Sequence, residues 1–511
     1  IYMLVKTYSS TLCGITSTTI TIEVNLGSGI NFYLVGLPDN AVKESHQRIK
    51  SAFKNNGLKF PGREITINMA PADIKKEGTV FDLPIAVGIL SVSKQINHEN
   101  LNKYLMIGEL SLDGSLQYCK GVLPRVLQGK KEGFQGIIVP QQNYHEACLV
   151  ENIEIIPATN IKDVIHFFNQ NKKPETPPIQ PKTIKPHSNL DFKDVQGQYQ
   201  VKRAFEISAA GGHNLILIGP PGAGKSMMAK RMPDILPPLN INEALETTSL
   251  YSVSQKVNFE GDLIRQRPFR KPHHTISDVA LVGGGGIPKP GEISLAHNGV
   301  LFLDELPEYK RNALEVMRQP MEDQIVNISR ANFSMEYPAN FMLLAAMNPC
   351  PCGYLNHPKK KCSCSSYQVQ KYLAKISGPL LDRIDLHVEV APVSFTELSS
   401  EAVQESSKTI RERVRSVRET QNIRFDKKKK NRNNANMNKV EINTFCKLSK
   451  DSLELLELAM NRLNLSARAY DRILKVARTI ADMDSKKDIQ QNHIAEAIQY
   501  RALDKMNQYL A

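Results

Sequence analysis

The chain has 511 residues, 41% of them hydrophobic and 23% charged, a composition typical of globular proteins with about three domains. No apolar run approaches the ~20 residues that a membrane helix requires, and no signal-peptide pattern opens the sequence, so we expect a cytoplasmic protein without membrane contact. The net charge of +13 favours polyanionic partners, above all nucleic acid.

The first part of the chain, residues 3–170, alternates strand-like and helix-like runs. TITIEV (19–24) is strand-like, whereas 41–57 has apolar residues at helical spacing and ends at a glycine, as helices commonly do. This pattern predicts a mixed α/β domain. The next stretch, 171–189, holds five prolines and predicts an extended linker.

A third region, 190–392, contains a phosphate-binding pattern. GPPGAGKS (219–226) fills G-x-x-x-x-G-K-[ST], with a strand-like run before it and a helix-like run after it. Such a loop binds phosphates through backbone N–H groups and its lysine, and Mg²⁺ through its hydroxyl. We therefore predict ATP and Mg²⁺ as ligands, the alternative being a Gly/Pro-rich surface turn. The predicted loop comprises Gly219, Pro220, Pro221, Gly222, Ala223, Gly224, Lys225 and Ser226.

Two later apolar runs end in polar residues. VLFLDEL (300–306) predicts a strand followed by Asp304, which would position Mg²⁺, and Glu305, which would polarise the attacking water. The second run, FMLLAAMNP (341–349), ends at Asn348, whose amide can hold the same water or contact the γ-phosphate. The alternative for the first run is a strand that happens to end in acids.

Arginines near the end of this region are further candidates. Arg383, in LLDRID, could reach the ATP site of a neighbouring subunit and neutralise transition-state charge. The alternative is a local ion pair with Asp382 or Asp385. Arg468 and Arg472 share one helix face by their i, i+4 spacing, and one of them could reach back to the phosphates.

Four of the eight cysteines form two C-x-C pairs within 350–364, an insertion in the predicted ATPase region. They are Cys350, Cys352, Cys362 and Cys364. Four thiolates satisfy tetrahedral Zn²⁺, so a structural zinc site is one interpretation, with His357 able to replace one ligand. Reduced free thiols are the other, since disulfides are unusual in the cytosol.

A basic run, RQRPFRKPHHT (265–275), contains Arg270 and Lys271 and has no acidic residue. Basic side chains on proline-rich loops suit a phosphate backbone, so we predict DNA contact there, a solvated loop being the alternative. The remaining residues, 393–511, predict a helical linker followed by a helical lid domain.

Taken together, these motifs resemble those of an AAA+ ATPase of the magnesium-chelatase branch. The blocks 267–308 and 350–365 further resemble the YifB/ComM family of magnesium-chelatase-like competence proteins. The resemblance implies a P-loop α/β ATPase core with a helical lid, and the roles given above for Lys225, Ser226, Asp304, Glu305 and Asn348.

The same resemblance implies roles outside the nucleotide pocket. Arg383 would be the finger that completes a neighbour's site, Arg468 a second sensor, and the working form a homo-oligomeric ring, usually a hexamer. An insertion within 262–295 and a hairpin at 324–340, with Arg330 near its tip, would point into the ring pore. The family promotes branch migration of DNA recombination intermediates, notably during natural transformation, so sequence-independent binding of single-stranded and branched DNA is implied.

The N-terminal domain resembles the α+β domain, of ribosomal-protein type, found in Lon-like proteins. In Lon proteases a Ser/Lys pair cleaves peptides. The matching positions here are Val80 and Leu123, neither of which can act as nucleophile or base. The resemblance therefore implies the fold without the protease activity.

Three functions compete at this point. The first is a DNA-remodelling motor with helicase or branch-migration activity. The second is a chelatase-type ATPase subunit, or a chaperone-like motor acting on a protein partner; the chelatase alternative is weakened because porphyrin binding belongs to a separate subunit. The third, an ATP-dependent protease, fails at Val80 and Leu123.

Overall fold

The structure is a computed structural model that describes residues 4–178, 190–254, 262–285, 288–330, 333–393, 404–425, 432–463 and 465–501. The predicted linker, 171–189, is thus described only to residue 178. The described residues divide into two compact units. Across these ranges, no helix has both the length and the apolar character that crossing a bilayer requires.

The first unit is built on a seven-stranded mixed sheet in the order β3-β4-β2-β1-β5-β8-β9. Strand β2 shows why it forms: Ile20, Ile22 and Val24 alternate with polar residues and are fully buried on one face. The strands of the first unit are β1 Leu4–Cys13, β2 Thr16–Gly27, β3 Phe32–Val35, β4 Glu64–Ala70, β5 Tyr104–Met106, β6 Glu109–Leu110, β7 Leu116–Gln117, β8 Gly136–Pro140 and β9 Glu154–Ala158. Its helices are Asn40–Lys43, Ser45–Asn55, Asp82–Val92, Val122–Lys131, Tyr144–Ala147, Ile161–Gln170 and Ile241–Val253.

The last of these helices, Ile241–Val253, comes from a chain segment that the sequence analysis placed in the ATPase region. It packs on the helix Val122–Lys131 of the same unit. The backbone N–H of Gly121 donates to the carbonyl of Ser252 over 3.2 Å, and the Ser252 hydroxyl donates to Glu146. The first unit is therefore assembled from two separate stretches of chain.

The second unit contains a five-stranded parallel sheet in the order β11-β14-β17-β10-β18. Strands β10 and β14 are buried along their whole length, as continuous apolar runs covered on both faces should be. The strands of the second unit are β10 Leu215–Ile218, β11 Phe269–Arg270, β12 Gly283–Gly284, β13 Lys289–Pro290, β14 Val300–Leu303, β15 Ile325–Arg330, β16 Phe333–Pro338, β17 Met342–Met347 and β18 Leu386–Glu389. Because the five strands of the main sheet are parallel, their C-terminal ends meet at one edge.

Helices pack around this sheet and extend it towards the C-terminus. They are Tyr199–Gly211, Lys225–Ala229, Met232–Ile235, Asp278–Val282, Glu292–Leu295, Arg311–Glu315, Arg318–Asp323, Ser366–Leu373, Gly378–Leu381, Ser407–Arg424, Lys439–Phe445, Lys450–Arg462, Ala467–Met483 and Gln491–Gln499. Val414 and Ile480 of the C-terminal helices share one apolar core with Leu215 of β10. The predicted α/β ATPase region and helical C-terminal region are thus joined by packing.

A buried ion pair fixes the helix Ala467–Met483 to the sheet. Nη1 of Arg472 lies 2.7 Å from Oδ1 of Asp385, and the N–H of Asn214 donates to Oδ2 over 2.9 Å. Burial alone would raise the pKa of Asp385, but the charges and hydrogen bonds of Arg472 and His213 together outweigh it and hold the pKa well below its ordinary value. Asp385 is therefore an anion inside the protein and depends on its partners.

We predict that Asp385→Asn destabilises the second unit, because Arg472 would lose its counter-charge in a largely buried place. The expected loss in free energy of unfolding is about 3 kcal/mol. It is measured as a lower midpoint of denaturant unfolding. Arg415→Ala is the control: Arg415 is 72% exposed and its pair with Glu419 should contribute less than about 1 kcal/mol. Equal midpoints for the two variants would contradict the prediction.

Candidate nucleotide site

The phosphate loop follows β10 and enters the helix Lys225–Ala229. Gly222 and Gly224 have φ of 80° and 85°, the left-handed region that favours glycine, so the loop can curl with its N–H groups inwards. Nζ of Lys225 donates to the carbonyls of Gly219 and Pro220, over 2.6 and 2.9 Å. The loop therefore has the backbone form that the sequence pattern predicts.

Asn348 lies beside this lysine. It follows β17, the strand next to β10, and its Oδ1 accepts a hydrogen bond from Lys225 Nζ over 3.1 Å. Burial lowers the pKa of Lys225, while the charges of Asp304 and Glu305 act in the opposite sense. The lysine, the amide and both carboxylates thus belong to one site.

Asp304 follows β14 and is shared by two donors. The Ser226 hydroxyl donates to its Oδ2 over 2.7 Å, and Nζ of Lys271 lies 2.9 Å from the same oxygen. Burial alone would raise the pKa of Asp304, but the hydrogen bonds from Lys271 and Ser226 outweigh it and hold this pKa below its ordinary value. A hydroxyl and an ionised carboxylate in contact form a fitting pair of oxygen ligands for Mg²⁺.

Glu305 has an unusual backbone conformation. Its φ of 53° and ψ of 49° are left-handed, which is costly for a non-glycine residue and concentrates at functional sites. Its side chain is 60% exposed, and Oε2 lies 3.5 Å from Nδ1 of His274. The strand end therefore presents this carboxylate to solvent beside Asp304, where a water can reach it.

Arg270 and Lys271, which the sequence predicts to contact DNA, both have acidic partners within the chain. Arg270 forms a two-pronged pair with Glu292, over 2.7 and 3.0 Å, and Lys271 contacts Asp304. The reason is that β11 pairs in parallel with β14, so Lys271 follows its strand at the same sheet edge as Asp304. Lys271 and His274 thus lie beside Asp304 and Glu305, a proximity that the basic composition of the run did not reveal.

The three candidate arginines differ in exposure and in their partners. Arg383 is only 6% exposed; its Nη2 lies 2.5 Å from Oε1 of Glu322, so neither predicted local partner holds it. Arg468 is 61% exposed, with Nη1 3.8 Å from Asp382. Arg472, on the same helix face, is paired with the buried carboxylate of Asp385.

The four cysteines of 350–364 come together. Their Sγ atoms all lie within 4.8 Å of one another, and the Cys350–Cys352, Cys350–Cys362 and Cys352–Cys362 separations are 3.4, 3.6 and 3.5 Å. Zn–S bonds of about 2.3 Å in a tetrahedron require sulfurs about 3.8 Å apart. The donor set and its spacing therefore fit Zn²⁺.

The surroundings of the thiols also fit a metal. The N–H of Leu355 points at Sγ of Cys350 over 3.3 Å, and hydrogen bonds from backbone N–H groups, first that of Tyr354, lower the pKa of Cys352 to about 5. Nδ1 of His357 accepts from the N–H groups of Lys359 and Lys360, each over 3.0 Å. His357 is thus engaged locally and is not among the clustered ligands.

A β-hairpin stands where the family resemblance implies one. Strands β15 and β16 pair from Ile325↔Pro338 to Arg330↔Phe333, and Val326 and Ile328 are buried on one face. Asn327 and Ser329 are exposed on the other. The side chain of Arg330 and residues 331–332 lie outside the described part.

In the first unit, the positions that correspond to the Lon catalytic pair are core positions. Val80 is 8% exposed and Leu123 is fully buried. The N–H of Leu123 donates to the buried carboxylate of Glu146 over 2.8 Å. These two side chains therefore pack the domain and supply no peptide chemistry.

The sequence of the chain matches known families and proteins. Residues 191–398 match the family described as "Magnesium chelatase, subunit ChlI", residues 22–143 match "Subunit ChlI of Mg-chelatase", and residues 404–501 match "Magnesium chelatase, subunit ChlI C-terminal". Over 139 residues, 27% of this chain and 24% of the relative, it is 29% identical to "Lon protease 2" of Bacillus subtilis.

Two other relatives match nearly the whole chain. The chain is 45% identical over 511 residues to "Competence protein ComM" of Haemophilus influenzae, covering 99% of this chain and 98% of that protein. It is 43% identical over 497 residues to "Uncharacterized protein YifB" of Escherichia coli, covering 96% of each. The chain therefore belongs to the ComM/YifB family of magnesium-chelatase-like proteins.

Proposed function

We propose that this protein is a ring-forming AAA+ ATPase that uses ATP hydrolysis to move or remodel DNA. The observation that carries the ATPase part is the meeting of Lys225, Ser226, Asp304 and Asn348 at one sheet edge, with hydrogen bonds of 2.7 Å and 3.1 Å linking them in two pairs. The DNA part is supported by the relative named a competence protein and by the net charge of +13.

Each residue has a definite task in this proposal. Lys225 would contact the β- and γ-phosphates in place of its two carbonyl partners, and Ser226 and Asp304 would hold Mg²⁺. Magnesium, when bound, neutralises charge on the phosphate oxygens. Glu305 orients and polarises the attacking water, while Asn348 holds the water or the γ-phosphate. Lys271, 2.9 Å from the same carboxylate, would balance part of its charge.

Completion by a neighbouring subunit is the second part of the proposal. Arg383 is held by Glu322 in the single chain, and we propose that it is released towards the neighbour's γ-phosphate in a hexameric ring. Arg468 is already exposed and would act as second sensor. The ring follows from this division, because each site then depends on two subunits.

DNA contact is assigned to the hairpin β15–β16. Its outer face is polar, with Asn327, Ser329 and Ser334 exposed, and Arg330 ends β15 next to the turn. Such groups bind phosphates and carry no base code, so binding should be independent of sequence. DNA contact by Arg270 and Lys271 remains a prediction, and each of them has an acidic partner in the chain.

The cysteine cluster is proposed to hold one structural Zn²⁺ per chain. The four thiols supply a complete ligand set, which is typical of structural sites.

A second candidate function is a chelatase-type subunit or a motor for a protein partner. It is favoured by the family descriptions that match all three regions of the chain. ATPase rates measured with single-stranded, duplex and four-way-junction DNA separate the two candidates. Stimulation by DNA supports the DNA motor; no stimulation or binding at low salt supports the second candidate.

We predict that Glu305→Gln binds ATP as the parent does but hydrolyses it roughly 10²–10⁴-fold more slowly, because the water loses its polarising carboxylate while the phosphate loop is intact. Nucleotide affinity and phosphate release are measured on the same preparation. Lys225→Ala is the comparison, in which binding itself should weaken. Parental turnover in Glu305→Gln would remove Glu305 from the role.

We predict that Arg383→Ala and Lys225→Ala are each inactive alone but regain ATPase activity when mixed. A ring containing both has some sites with an intact phosphate loop facing an intact Arg383. The measurement is ATPase rate against mixing ratio, with co-assembly checked by pull-down of one tagged variant. If co-assembled mixtures stay inactive, Arg383 acts within its own chain or only through Glu322.

We predict that Arg330→Ala weakens DNA binding at low salt and reduces DNA stimulation of the ATPase, while DNA-free ATPase is unchanged. The slope of log affinity against log salt for single strands should become shallower by roughly 0.7 for each phosphate that the variant no longer neutralises. Arg330→Lys should retain most binding. Arg415→Ala, an exposed arginine outside the hairpin, is the matched control; an equal weakening there would show that general charge, not the hairpin, binds DNA.

A further inference from the structure

The segment between Cys350 and Cys364 begins beside the candidate nucleotide site and ends at a helix. Its first cysteine comes two residues after Asn348, whose amide contacts Lys225. Its last cysteine is followed directly by Ser365, which caps the helix Ser366–Leu373. The four thiols therefore tie the strand end that bears Asn348 to the start of this helix.

The helix returns to the same asparagine. Tyr372, a buried residue near the end of the helix, lies close enough to the backbone of Asn348 for the two groups to interact. The strand end is thus connected to the helix twice, through the cysteine segment and through Tyr372. A change in the spacing of the thiols would be transmitted to Asn348 from both directions.

The segment also touches the phosphate loop itself. Gly353 has a φ of 82°, and a Cβ built on it would lie 2.5 Å from Cδ and 2.8 Å from Cγ of Pro221. Such distances are shorter than carbon atoms tolerate, so the backbone of Gly353 is seated directly on the loop. Asn348 lies next to the same point, 3.8 Å from that Cβ position through its Cγ.

We propose that a metal ion bound by the four cysteines holds Asn348 and Pro221 in their nucleotide-binding positions, so that ATP affinity and hydrolysis depend on an occupied cysteine site. The inference rests on the proposed zinc site and extends it from local stability to control of the ATPase. Without a metal ion, nothing would fix the spacing of the four thiols. The positions of Gly353 against Pro221 and of Tyr372 against Asn348 would then be less well defined.

The first test uses the full-length protein. Zinc content is measured by elemental analysis before and after treatment with a chelator under reducing conditions, and nucleotide affinity is measured with a fluorescent ATP analogue. We expect about one zinc per chain, and about tenfold weaker nucleotide binding after zinc removal, restored when zinc is added back. Hydrogen exchange of residues 219–226 should rise on removal and fall on restoration.

Two variants separate metal binding from its transmission. Cys364→Ser should lose zinc and nucleotide affinity together, whereas Gly353→Ala should keep zinc and lose nucleotide affinity, because its methyl group would press on Pro221. Cys148→Ser, a half-buried cysteine in the first unit, should change neither quantity.

The outcomes are distinct. A protein free of zinc under reducing conditions would overturn the zinc site itself. Zinc that can be removed, with nucleotide affinity and exchange of the phosphate loop unchanged, would leave the site standing and overturn its control of the ATPase. Parental affinity in Gly353→Ala would show that the contact with Pro221 transmits nothing.

Discussion

Parallel pairing of β10, β14 and β17 is the constraint on which the rest of the second unit depends. Parallel strands end at the same edge, so the phosphate loop, Asp304 and Asn348 are adjacent although they are far apart in sequence. The buried apolar side chains of these strands fix the register. The core of the sheet therefore brings the phosphate loop, Asp304 and Asn348 together, and few further contacts are needed to position them.

The charged groups at this edge are paired with polar groups of the chain. Lys225 donates to backbone carbonyls and to Asn348, and Asp304 is contacted by Ser226 and Lys271. In the proposed function, ATP and Mg²⁺ would engage these same groups. Binding would then exchange one set of polar partners for another, which would limit the desolvation cost of assembling a highly charged site.

The sequence predicted the parts of the site that are local in the chain. The phosphate loop, the strand ending in Asp304 and Glu305, and the clustered cysteines could be found because each lies within a short, periodic or motif-bearing stretch. The contact between Lys271 and Asp304 could not be predicted, because β11 has only two residues, too few to show strand periodicity. The Arg383–Glu322 pair joins residues distant in sequence, and no spacing rule identifies such a partner.

The placement of helix Ile241–Val253 could not be predicted for a related reason. Its buried residues indicate that one face must be covered, yet helical periodicity does not say which part of the chain covers it. The resemblance of the ATPase motifs favoured the surrounding region, whereas packing placed the helix on Val122–Lys131.

That placement also sets an order for biosynthesis. A chain emerging from the ribosome presents residues 4–178 first, but their unit lacks its final helix until residues 241–254 have followed. The phosphate loop at 219–226 is translated before that helix. The first unit consequently completes its packing only after the chain has been translated beyond the phosphate loop.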